Sequence, residues 1–216
     1  MKFFIIIKEH SERVTSKNFL DLGGKPLYKH LLDELKGEDV FIDTDSETLY
    51  ENLKSSEITC YKRSAECINL EVDGSFKVSP ALIMIDNFLD KYVTDENEVI
   101  VTPHVTSPFI KLSTIRDATK KLDEGYDSVL ACTEHHEFTY FKGKPVNFNP
   151  GVVQKTQDLE PVVMGNGAFF IFTKKIFKES NNRTGKNPFF YPLGFPENIE
   201  IDYKEDLRMA RAVYGK

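Results

Sequence analysis

A chain of 216 residues with 40% hydrophobic and 12% aromatic side chains can bury one sizeable core but not two generous ones, so a single domain spanning 1–216 is expected. Its 28 lysines and arginines against 34 aspartates and glutamates leave a net charge of -6. That balance excludes general attraction to nucleic acid or an anionic membrane, and any phosphate ligand must meet a local basic cluster.

The apolar run FFIII at 3–7 passes directly into Lys8 and Glu9. It is too short for a signal-peptide core or a membrane span and reads as a first, buried strand. Leu27, Leu31, Leu32 and Leu35 then recur at helical spacing. A second strand is expected at 40–42, a helix bearing Leu82, Ile85 and Leu89, a third strand at 99–101, and a helix bearing Ile115, Ala118 and Leu122. Further strands fall at 128–131 and 168–172, and a last helix at 205–213. Between 134 and 165 the alternation fails. Tyr140, Phe141, Phe148, Pro150 and Gly151 suggest short antiparallel segments or an excursion away from the sheet. Cys60, Cys67 and Cys132 stand in no metal-ligand or redox spacing, which suits a reducing, cytoplasmic setting.

Alternating strands and helices joined by right-handed crossovers make an α/β fold with a mostly parallel sheet. In such sheets the ligand sits at the carboxyl ends of the strands, so the segments just after each strand carry most weight. After the first comes KEHSERVTSKN, in which Lys8, Arg13 and Lys17 supply cations and Ser11, Thr15 and Ser16 supply hydroxyls. Cations and loop amides aimed at one point suit a triphosphate, although Glu9 and Glu12 weaken the local field. The loop has neither the GxxxxGK[ST] nor the GxGxxG pattern. Composition alone favours a solvated loop of mixed charge; the order of residues points elsewhere.

That order runs from SER at 11–13 through Val14, Lys17 and Asn18 to Leu22-Gly23-Gly24-Lys25-Pro26-Leu27. It continues with Asp43-Thr44-Asp45-Ser46-Glu47, Thr106-Ser107-Pro108, Gln157-Asp158-Leu159-Glu160-Pro161, Asn166-Gly167-Ala168 and Ile201-Asp202 before Glu205-Asp206-Leu207. The series resembles the CMP-N-acylneuraminate synthetases, with the CMP-KDO synthetases as more distant relatives. The resemblance implies a Rossmann-like three-layer α/β/α nucleotidyltransferase fold and a homodimer. It implies a reaction of CTP with a 2-keto-3-deoxy acid sugar that gives a CMP-sugar and pyrophosphate.

By the same resemblance Lys8 stands at a usual arginine position, Arg13 and Lys17 hold the triphosphate, and Asn18 touches the cytosine ring. Arg63 and Ser79 fall on the base and ribose side, where an exposed arginine and a helix N-cap are the plain alternatives. His104 and Asn166 fall on the sugar side, with ordinary hydrogen bonding and a turn as theirs. Glu200 and Asp202 lie two apart, so an extended segment points both carboxylates to one face. The resemblance makes them ligands of Mg²⁺, while a helix cap is the competing reading of Asp202. His135-His136 lacks a third ligand for zinc, and Phe189-Phe190-Tyr191 reads as core or dimer contact. Two other functions stay open. Asp43-Thr44-Asp45 is formally the DxD metal motif of a GT-A-type glycosyltransferase, and the departures at Lys8, Thr15 and Glu200 suit a non-catalytic nucleotide-binding module.

Overall fold

In the computed structural model, which describes residues 1–11, 13–73 and 78–215, the chain opens with β1 (Lys2–Ile7) and the small hairpin β2 (Asp21–Leu22) and β3 (Lys25–Pro26). There follow α1 (Leu27–Glu34), β4 (Val40–Thr44), α2 (Glu47–Leu53), β5 (Thr59–Lys62), α3 (Ala65–Asp73), α4 (Pro80–Tyr92), β6 (Val99–Pro103) and α5 (Leu112–Thr119). The second half comprises β7 (Ser128–His135), the hairpin β8 (Tyr140–Phe141) and β9 (Lys144–Pro145), β10 (Val162–Thr173), α6 (Lys174–Ser180), β11 (Pro188–Pro192) and α7 (Lys204–Tyr214). Among the described residues no helix is long and apolar enough to cross a membrane.

Seven strands form one sheet in the order β11-β7-β10-β6-β1-β4-β5. Every pairing is parallel except those of β10 with β6 and β7. A central strand covered on both faces needs apolar side chains on both, and β1 supplies them: Phe3, Phe4, Ile5 and Ile7 have no exposed surface. The pleat divides them. Phe3, Ile5 and Ile7 join Leu31 of α1, Leu49 of α2 and Ile115 of α5 on one face. Phe4 joins Cys67 of α3, Phe88 of α4 and Phe177 of α6 on the other, its ring stacked on Phe88 at 4.5 Å. The architecture is the expected three-layer α/β/α sandwich.

A third cluster, with Leu22, Leu27, Ile201, Leu207 and Ala210 at its heart, docks α7 on the β2–β3 hairpin. Gly23 there has φ +63, and a Cβ on it would fall 1.9 Å from the ring of Tyr214. Arg211 reaches back to the carbonyl of Asp21 at 3.0 Å. The Gly-Gly-Lys-Pro segment is therefore the seat of the C-terminal helix.

Several elements differ from the sequence reading. β5 and β11 are edge strands that it missed, as it did α2, α3 and α6. Phe189 and Tyr191 of β11 pack on the core while Phe190 faces outward. The excursion is narrower than 134–165, because β7 runs on to His135 and β10 begins at Val162, pairing Val162 with His135 and Gly165 with Cys132. What leaves the sheet is a twisted ribbon capped by β8 and β9. The register shifts between Gly165 and Phe170, where the Asn166 side chain accepts from the Ala168 amide at 3.2 Å and donates to Thr133 at 3.1 Å.

Candidate active site

At the carboxyl ends of β1 and β6 lies a cavity of about 390 Å³, within the size range of small-ligand sites. The loop after β1 forms one wall with Lys8, Arg13, Lys17 and Asn18; Thr102, His104 and Thr106 form another. Val14 is buried and anchors the loop, Ser16 turns it through a left-handed conformation with φ 49, and the Asn18 side-chain amide donates to the Lys8 carbonyl at 2.9 Å. The Glu9 amide is held by Asp45 at 2.7 Å. Glu12 lies outside the described residues.

Lys17 and Arg13 converge on one carboxylate. Asp202 accepts from Lys17 Nζ at 2.8 Å and pairs with Arg13 at 2.9 Å, while the Arg13 guanidinium lies 5.3 Å from the Tyr203 ring centre. Burial pushes the Asp202 pKa up, but the hydrogen bond and charge of Lys17, joined by Arg13, outweigh it and hold the carboxyl below its usual range. Asp202 is not the cap of α7. That position is Tyr203, and Asp206 accepts from the Asp202 and Tyr203 amides at 2.9 and 2.8 Å, so the Asp202 carboxylate is free of capping work and turns to the loop.

Glu200 sits deeper. Burial, then the charge of Asp202, raises its pKa to about 7 against the opposing effects of Lys17 and Thr106; Thr106 lies 3.4 Å from its carboxylate. Gly167, at φ +72, passes so close that a Cβ would lie 3.1 Å from Glu200 and 3.4 Å from His104 Nδ1. Only glycine combines that backbone conformation with that approach. His104 is half-buried and lines the cavity. Burial, then the positive charges of Arg183 and Lys17, lowers its pKa to about 4, and the ring is neutral at pH 7.

Other residues singled out from the sequence lie elsewhere. Arg63 has a fully buried side chain that binds Asp43 at 2.7 Å and Glu71 at 2.8 Å, with Asp45 at 3.7 Å. It is a clamp beneath the site, not part of the cavity wall, and not the exposed arginine of the plain alternative. Lys8 reaches the same network through Glu71 at 2.6 Å. Ser79 precedes α4 as its N-cap, yet its side chain makes no capping hydrogen bond; the neighbouring Ala81 touches the cavity instead. Asn166 uses both ends of its amide to shape the β10 irregularity.

The Asp43-Thr44-Asp45 carboxylates point into the protein fabric. Asp43 is buried against Arg63 and Asp45 holds the Glu9 amide, an arrangement that leaves no open DxD pair. Among the described residues no three histidines, cysteines, aspartates or glutamates cluster as a metal cage. Glu200 and Asp202 make a two-carboxylate set of hard oxygens at mutual electrostatic cost. This fits Mg²⁺, which takes one or two protein carboxylates and fills its remaining positions with phosphate oxygens and water.

Sequence reasoning missed two members of the site. Thr102 lines the cavity with a buried hydroxyl that has no hydrogen-bond partner among the described residues. Arg183 enters from the loop after α6, in a polar stretch whose composition alone marks a surface turn.

A cytidylyltransferase family model matches residues 5–147. The N-acylneuraminate cytidylyltransferase of Streptococcus agalactiae serotype III (strain NEM316) is 26% identical over 210 residues, 91% of this chain and 49% of that protein. N-acylneuraminate cytidylyltransferase A of Danio rerio is 25% identical over 95% of this chain and 49% of its own length. The chain thus spans about half the length of the curated relatives it matches. CMP:2-keto-3-deoxy-manno-octonic acid synthetase, solved with CTP, shares the fold at a TM-score of 0.63 and 12% identity, covering 98% of this chain and 96% of its own. A 4-diphosphocytidyl-2C-methyl-D-erythritol synthase does so at 0.64 and 8%, covering 98% and 97%. On the match over residues 5–147, with the sheet order and cavity described above, the chain belongs to the cytidylyltransferase family.

Proposed function

We propose that this chain joins CTP to a sialic-acid-like 2-keto-3-deoxy acid sugar, giving a CMP-sugar and pyrophosphate. The observation that carries the reading is the meeting of Arg13 and Lys17, which line the cavity, with Asp202 behind them. In the proposed reaction the sugar's anomeric hydroxyl attacks the α-phosphorus in line. A new P–O bond forms, the bond from the α-phosphorus to the bridging oxygen breaks, and pyrophosphate departs with that electron pair while the hydroxyl proton passes to solvent.

Arg13 and Lys17 neutralise the triphosphate and hold it in line, the two contributions on which such transfers chiefly depend. Asn18 has its amide nitrogen engaged by the Lys8 carbonyl, which leaves its oxygen to accept from the cytosine amino group. Mg²⁺, held by Glu200 and Asp202, would add positive charge at the phosphates. His104, neutral beside the sugar, offers hydrogen bonding without charge. We also assign the 138–164 ribbon to homodimer contact, because Tyr140, Phe141, Val146 and Met164 are exposed along it, and we place the protein in the cytoplasm with its cysteines unpaired.

Pyrophosphate release should be measured with CTP, Mg²⁺ and a panel of eight- and nine-carbon 2-keto-3-deoxy acids, then with UTP and ATP in place of CTP. Turnover confined to CTP and at least one such acid is expected; none with any pair would refute the reading. Tight CTP binding without turnover would select a non-catalytic module. The glycosyltransferase alternative loses its support in the inward-facing Asp43 and Asp45.

A further inference from the structure

Among the described residues Arg183 is a guanidinium without a carboxylate partner. Its ring neighbour is Phe170, over which the guanidinium carbon lies 3.8 Å from the centroid, and its one polar contact among the described residues is Nη1 to His104 Nε2 at 3.5 Å. No acidic side chain among the described residues pairs with it, although the chain carries more acids than bases. Burial draws its pKa down to about 10, so it keeps its charge at neutral pH at the cost of lost hydration. A largely enclosed cation facing a cavity calls for an anion from outside the protein.

The loop that carries it is built to hold still. The Asn182 side chain accepts from the Thr184 and Gly185 amides at 2.7 and 3.0 Å. Asp127 accepts from the Lys186 and Asn187 amides at 2.6 and 2.9 Å, and Ser128 donates to the Thr184 carbonyl at 2.6 Å. Gly185, at φ +58, lies so close to Asp127 that any Cβ would collide with it. The ring below and the braced loop behind fix the plane of the guanidinium and leave its edge toward the cavity.

Position separates this cation from the triphosphate loop. That loop follows β1, whereas Phe170 belongs to β10, and β6 lies between them. Two strand spacings put the two sites ~10 Å apart. The intervening His104 is neutral, so Arg183 offers one fixed charge with a planar fork of donors, which matches a carboxylate bidentately better than a polyphosphate.

We propose that Arg183 is the specificity residue that binds the carboxylate of the acid substrate, with Phe170 and the Asn182–Asp127 bracing as its support. This rests on the acid-sugar reading above, and the test separates the two. N-acetylneuraminate and related nonulosonates, each beside its methyl ester, are titrated by calorimetry into the wild type and into Arg183→Gln and Arg183→Lys, with CTP titrated in parallel; pyrophosphate release is followed on the same proteins.

The wild type should bind at least one acid 50-fold or more tighter than its ester. Arg183→Gln should erase that preference and raise KM for the acid by a similar factor with a smaller change in kcat, and CTP affinity should stay within about twofold. Arg183→Lys, which keeps the charge but not the fork, should recover part of the preference and supplies the result if the Gln variant does not fold. Acid-over-ester binding lost with Arg183 supports the proposal even if no pyrophosphate is released, an outcome that defeats only the catalytic reading. A wild type that does not distinguish acid from ester, variants that retain the distinction, or CTP binding lost in parallel would overturn it.

Discussion

Lys17 and Asp202, 185 positions apart in the chain, meet at 2.8 Å, and that contact ties the loop after the first strand to the segment before the last helix. Both of Lys17's roles follow from it. As found here it neutralises Asp202, and in the proposed reaction it would turn to the phosphates of CTP. Replacing Asp202 with Ala frees Arg13 and Lys17 of their competitor. In metal-free buffer CTP should then bind a few-fold tighter, while pyrophosphate release with Mg²⁺ should drop about 100-fold, a split characteristic of lost transition-state stabilisation. Unchanged turnover would remove Asp202 from the chemistry.

Arg63 makes the opposite kind of prediction. Its guanidinium is enclosed by Asp43, Glu71 and Asp45, so Arg63→Met leaves buried carboxylates unpaired and should cost about 3–5 kcal/mol. Urea unfolding measures it. CTP affinity of the folded variant should change little, whereas a large loss of affinity without loss of stability would return Arg63 to the nucleotide site.

Gly23 tests the seating of the last helix. Gly23→Ala places a Cβ into the Tyr214 ring at a positive φ, and the strain should cost about 1–3 kcal/mol. Tyr214→Ala relieves the collision, so the double variant should be less destabilised than the sum of the two single changes. Thermal unfolding of the four proteins gives the cycle. Additive losses would mean that the ring does not occupy that place.

His104 sets a pH signature. Its pKa of about 4 in the folded chain lies below the 6.5 of a free imidazole. On acidification the unfolded chain takes up this proton first. The associated stability is complete above pH 6.5 and is lost as pH falls toward 4, at up to about 1.4 kcal/mol per pH unit. Urea midpoints between pH 7 and 4 should fall more steeply for the wild type than for His104→Gln; parallel curves would contradict a buried, neutral ring.

Much of this was readable from the order of residues. β1, β4, β6 and β10 announce themselves as continuous apolar runs because central strands are covered on both faces, and Lys17 and Asp202, singled out from the motif order, meet in the structure. β5 escaped because Thr59–Lys62 is an edge strand with no fully buried residue, and β11 because prolines bound it at both ends. Arg63 was placed by the base from motif position alone, since no local pattern reveals three acidic partners drawn from Asp43, Asp45 and Glu71. Arg183 was invisible for a related reason. Its place in the proposal rests on the absence of a carboxylate partner among the described residues, a property of packing that spacing does not encode.

β10, one strand, irregular between Gly165 and Phe170, carries Val163 and Met164 on the exposed ribbon, Gly167 against Glu200 and His104, Phe170 under Arg183, and Phe172 in the core. At about 3.4 Å per residue it runs for some 40 Å from the exposed ribbon to the core. A partner seated on Met164 would therefore stand three residues along the same strand from the cavity wall at Gly167.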